Sequence, residues 1–140
     1  MIKWLAFVLL VLLALFYFKI RPNHIAYVLS THSPYEFCNG TQMQSDEWMK
    51  TITITQEKQV RRFWVSHQQM LNLSVLYASQ AMHLSKHHVI PQITLSRGIA
   101  YVAPVEGFAG VSIWMCQFKP LIEKNIRQYP FVQKIVWQSM

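Results

Sequence analysis

Met1-Ile-Lys-Trp-Leu-Ala-Phe-Val-Leu-Leu-Val-Leu-Leu-Ala-Leu-Phe-Tyr-Phe-Lys-Ile-Arg-Pro22 is the stretch on which the architecture turns. Trp4 to Phe18 is an unbroken apolar run, held between Lys3 on one side and Lys19 and Arg21 on the other. A cleaved signal peptide would share the basic start and the apolar core, but would end on small residues. Here the run ends on Phe16-Tyr17-Phe18, and Ala26 is the first small residue beyond it. A span needs roughly 20 residues. Ile2 and Ile20 lengthen this one, and lysines can lay their stems along hydrocarbon while keeping the ammonium at the headgroups. Trp4 and Tyr17 stand where interfacial aromatics are favoured. The expectation is an uncleaved single-pass transmembrane helix over residues 1–21, flanked by Lys3, Trp4, Tyr17, Lys19 and Arg21.

Orientation is nearly balanced, because basic residues stand on both sides of the run. Cys38 and Cys116 tip it. Two cysteines in a small exported domain suggest a bridge, whereas two buried thiols would suit a reducing compartment. The expectation is a cytoplasmic N-terminus, an extracytoplasmic C-terminal domain and a Cys38–Cys116 disulfide.

About 118 residues follow Pro22, enough for one domain with a single core. Net charge over the whole chain is +7, but beyond Arg21 ten Lys and Arg face six Asp and Glu. Such a domain favours anionic headgroups or an acidic partner. Its basic residues are scattered or paired as Arg61-Arg62, without the clustering of a nucleic-acid binder.

Residues 22–45 read as a juxtamembrane connector marked by Pro22, Pro34 and Asn39-Gly40, in which Ile25 to Leu29 is apolar enough to pack or pair. Residues 46–140 read as the domain proper. Trp48 to Thr55 alternates, which signals a strand. Glu57 to His87 lacks Gly and Pro. Trp64, Leu71, Val75, Ala78 and Met82 make a helical stripe, so one long helix, interrupted or starting late, is expected. Two strands, Val60 to Val65 and Leu73 to Tyr77, are the competing reading. Gln92 to Ser96 and Ile99 to Ala103 form a hairpin turning at Arg97-Gly98. Gly110 to Phe118 reads as a third strand, Pro120 to Gln128 as a helix, and Phe131 to Trp137 as a short helix or edge strand. The fold class is α+β: a mainly antiparallel sheet packed by one long helix.

Chemistry is sparse. His83 and His87 share a helical face with His88 beside them, the spacing of a two-histidine metal site. Leu84 occupies the place of the glutamate a zinc protease needs, and helix-end solvation accounts for the cluster better. Asp46 and Glu47 are adjacent and point apart, unlike a facing carboxylate pair; with Ser45 they suit a helix start. Cys38 with His32 or His67 could form a nucleophile pair, but the bridge is preferred. The sequons at Asn39 and Asn72 carry little weight. Six acids in 140 residues leave few groups for proton transfer, so no catalytic residue, metal or cofactor is assigned. The expected partners are membrane lipid and another envelope protein, not nucleic acid. The expected role is an anchored binding or inhibitory protein, the alternative a single-pass subunit of an envelope assembly.

Overall fold

The computed structural model describes residues 1–20, 22–38, 45–62, 64–84, 90–103 and 111–138. Helix α1, Ile2–Ile20, comes first, and strand β1, Asn23–Ser30, follows within three residues. The short helices α2, Pro34–Phe37, and α3, Ser45–Thr51, lead into β2, Ile52–Val60. Helix α4, His67–Ala81, precedes the hairpin β3, Ile93–Ser96, and β4, Ile99–Val102. The chain closes through helix α5, Val111–Arg127, and strand β5, Lys134–Trp137.

The strands form two sheets. β1 and β2 pair antiparallel, with Asn23 opposite Val60 and Leu29 opposite Ile54. The second sheet runs β3-β4-β5, antiparallel across β3 and β4 and parallel across β4 and β5. A parallel neighbour needs a crossover, and α5 supplies it. The architecture is α+β, with a two-strand and a three-strand sheet in place of the expected mainly antiparallel sheet under one long helix.

Local chemistry explains most boundaries. Ser66 caps α4 through a reciprocal box: its hydroxyl accepts from the Gln69 N–H while the Gln69 side chain accepts from the Ser66 N–H. This box satisfies two of the orphan donors at a helix start, which is why the helix begins at His67 and not at Glu57. Glu57 to Val60 belongs to β2, so the stripe of residues four and three apart holds only for Leu71, Val75 and Ala78, all buried. The strand alternative for Leu73 to Tyr77 is excluded, because those residues lie within α4. At the hairpin, Arg97 and Gly98 both adopt positive φ, 48° and 77°. That pair of conformations defines the turn whose twist matches the flanking strands. A Cβ on Gly98 would also meet the Gln133 side chain at 3.0 Å.

Two segments expected as strands are helical. Trp48 to Thr51 ends α3, and the strand begins only at Ile52. Trp48 is fully buried against the core, so tertiary packing overrides the alternation. Val111 to Phe118 opens α5, which continues through Pro120. An interior proline costs about 3 kcal/mol. Burying Phe118, Leu121, Ile122 and Ile126 at about 1.5–3 kcal/mol each outweighs it. Phe131 to Trp137 contributes an edge strand, β5.

The N-terminal expectation is corrected as well. The apolar run of fifteen residues from Trp4 to Phe18 rises about 22 Å, against a hydrocarbon core of roughly 30 Å. Among the described residues no helix is long and apolar enough to cross a membrane. The single-pass assignment, and the orientation built on it, are therefore not supported.

Candidate interaction surface

Two kinds of polar and apolar surface stand out, one sealed and one open. The sealed one lies on the free edges of β1 and β3. A strand edge presents unpaired N–H and C=O groups, which are costly when buried and adhesive when exposed. β1 solves this with a side chain. Asn125, fully buried on α5, accepts from the Val28 N–H at 2.7 Å and donates to the Val28 carbonyl at 3.0 Å, as a neighbouring strand would. Its amide also donates to the Leu121 carbonyl and its oxygen accepts from Ser74 Oγ, so both donors and both lone pairs are used. The Ala26 carbonyl accepts from Tyr129 Oη at 2.9 Å and Gln128 Nε2 at 3.2 Å, and competes with Asn125 Oδ1 for the single Ser74 hydroxyl hydrogen, whose Oγ lies at 2.8 Å. Burial pushes the Tyr129 phenol above its ordinary pKa, with a smaller opposing effect from Ser74.

β3 is closed in the same manner by α4. Gln68 donates to the Ile93 carbonyl and accepts from the Leu95 N–H, and Asn72 accepts from the Ile93 N–H at 3.2 Å. Asn72, the acceptor of a glycosylation sequon, is thereby engaged inside the fold, and Ser74 of that triplet is buried. Nothing in the sequence marked Gln68, Ser74, Asn125 or Gln128 for these roles. The nearest signal is amide side chains on helices whose other faces are apolar.

Cys38 and Cys116 are bonded, with Cα atoms 5.8 Å apart. The bridge joins the end of α2 to α5, not to a final strand, since Cys116 lies within the helix. Closing a loop of 78 residues stabilises by roughly 4 kcal/mol in the chain-entropy picture.

The open surface is α1 and its root. All described side chains from Met1 to Phe18 are exposed, including Trp4 at 76 % and Tyr17 at 63 %. The helix is apolar on every side, so no stripe directs it onto the domain. Lys3 and Trp4 lie at its start and Tyr17 near its end; the side chain of Lys19, and Arg21 as a whole, lie outside the described residues. Beside the root stands the segment that leaves β2. The Asn23 side-chain amide donates to the Arg62 carbonyl, and Arg61 and Arg62 are exposed. Trp64 follows at 77 % exposure, unusual for so large an apolar ring.

The other sequence candidates do not assemble. Asp46 and Glu47 sit exposed in the first turn of α3. His83 follows α4 with φ 57°, while His87, His88 and the sequon at Asn39 lie outside the described residues. Among the described residues no three His, Cys, Asp or Glu side chains group as metal ligands. His32 pairs with Glu36 at 3.0 Å and His67 stacks on Phe131 at 4.0 Å, so neither is turned to the disulfide-bonded Cys38.

What fold and surface define together is a small disulfide-linked α+β domain, with helix side chains bonded to the free edges of β1 and β3, carrying an apolar helix. Comparison with protein-family models, curated proteins and solved structures returned no match.

Proposed function

We propose that this chain is a non-enzymatic binding protein, whose domain holds or inhibits another protein while α1 rests in lipid. The observation that carries the reading is α1: nineteen residues, apolar on every side and exposed throughout its described side chains. A surface of that size is not left to water, because each fully exposed Leu or Phe forgoes about 1.5–3 kcal/mol of burial. Lipid contact does not require the helix to cross the hydrocarbon. The Cys38–Cys116 bridge ties α2 to α5 and so gives the domain a rigid frame for binding. The scarcity of acids, six in the chain, argues against proton-transfer chemistry.

The same apolar surface favours a second reading, in which other helices cover α1 and the chain is a structural subunit of an envelope assembly. One experiment separates the two. The full chain is purified from detergent extracts beside a chimera whose residues 1–20 are replaced by an unrelated apolar helix. Retention of the same stoichiometric partner by the chimera supports the binder. Loss of the partner with α1 transfers the case to the subunit, and no partner with either chain defeats both.

A further inference from the structure

The root of α1 carries a surface that the reading above does not use. β1 begins three residues after α1 ends. Its first residue, Asn23, is paired with Val60, the last of β2. The Asn23 amide then donates to the Arg62 carbonyl. The chain leaving β2 is therefore pinned beside the helix root, and Arg61, Arg62 and Trp64 emerge there together, all exposed.

Their chemistry is complementary to one kind of surface. Neither guanidinium has an acidic partner among the described residues. Glu57, the acid on the adjoining stretch of β2, faces His24 at 3.5 Å. Guanidinium groups bind phosphate oxygens in a two-pronged fashion. An indole with an apolar body and one N–H donor settles at the boundary of hydrocarbon and water. Two exposed arginines and an exposed tryptophan thus follow the end of β2, which is pinned beside the start of β1, three residues beyond α1. A basic segment beside a lipid-seated helix is drawn to a negatively charged leaflet.

We propose that Arg61, Arg62 and Trp64 form a lipid-headgroup contact, in which the two guanidiniums bind the phosphates of anionic phospholipids and the Trp64 ring enters the interface. The contact sets the domain down on the lipid surface instead of leaving it to swing on the root of α1. This rests on the lipid reading of α1, and the test tells the two apart.

The full chain is mixed with vesicles containing brominated lipid, either of phosphatidylcholine alone or with phosphatidylglycerol added, and quenching of tryptophan fluorescence is recorded. The variants Trp4→Phe and Trp64→Phe assign the signal by difference. Trp64 quenching should be several-fold stronger in the anionic vesicles. It should fall to the phosphatidylcholine level in Arg61→Gln/Arg62→Gln and at high salt, while Trp4 is quenched in every case. Far-UV circular dichroism checks that the variants fold, which exposed positions permit. Trp64 unquenched, or quenched equally in both vesicles, while Trp4 is quenched, overturns the headgroup contact and leaves the lipid seat of α1 standing. In the unquenched case the Arg–Trp surface falls to a protein partner. Trp4 unquenched in both vesicles overturns the lipid seat itself.

Discussion

α1 and α5 are the two longest helices, 19 and 17 residues, and they use apolar residues in opposite ways. α5 is sided. Phe118, Leu121, Ile122 and Ile126 enter the core, Lys124 is half-buried, Arg127 is exposed, and Asn125 reaches across to close β1. α1 has no polar side and buries none of its described residues. The difference is one of partner. A helix with a stripe can complete its burial within its own chain, whereas one apolar all round needs more surface than a domain of this size offers. The first is a structural element of the domain, and the second leaves its described side chains exposed.

That contrast can be broken from the α5 side first. Replacing Cys38 and Cys116 by serine releases α2 from α5 and should lower the unfolding free energy by about 4 kcal/mol, read from denaturant midpoints at constant m. A loss below about 1 kcal/mol would mean that α5 is held by packing alone. Asn125→Ala should cost about 3 kcal/mol, because the Val28 N–H and C=O lose their partner inside the core. An unchanged midpoint would show that β1 does not depend on that borrowed edge.

Tyr129 sharpens the same seam through pH. Its raised folded pKa means that the neutral phenol is preferred in the native state. The effect on stability is absent while both states are protonated and grows as pH climbs past the unfolded value of about 10. Stability should therefore decline above that pH. Tyr129→Phe should decline less steeply, at the cost of roughly 1 kcal/mol near neutrality for the lost bond to the Ala26 carbonyl. Parallel curves for the two proteins would remove Tyr129 from the seam's titration.

The smallest effect belongs to α1. Deleting residues 1–20 should change the stability of the remaining domain by no more than about 0.5 kcal/mol, the range of surface changes, while abolishing vesicle flotation. A large loss of stability would mean that the helix packs on the domain after all, and would erase the comparison.

How much of this could be read beforehand follows from the range of the interactions. The Arg97-Gly98 turn was legible because two consecutive positive φ angles are a demand on two neighbouring residues. The core stripe of Leu71, Val75 and Ala78 was legible because helical spacing is local, although the start of α4 was not: the Ser66–Gln69 box lay unnoticed inside a longer Gly- and Pro-free stretch. The Cys38–Cys116 bridge followed from there being two cysteines. Val111 to Phe118 and Trp48 to Thr51 misled, since short apolar runs fit either period until their packing partner is known.

The amino-acid sequence by itself determined the Arg97-Gly98 hairpin and an N-terminal helix apolar on every side, and it favoured the disulfide. These depend on residues near one another in the chain or, for the bridge, on there being two cysteines. Only the tertiary structure decided that the strands divide into two sheets, that α5 runs through Pro120, and that Asn125, Ser74, Gln68 and Asn72 stand in for missing strands. It also decided that the chain leaving β2 is tied to Asn23, three residues beyond α1. The reason is physical: an amide on a helix becomes a strand's neighbour only when packing brings an unpaired edge within 3 Å or so of it, and no pattern along the chain encodes that distance.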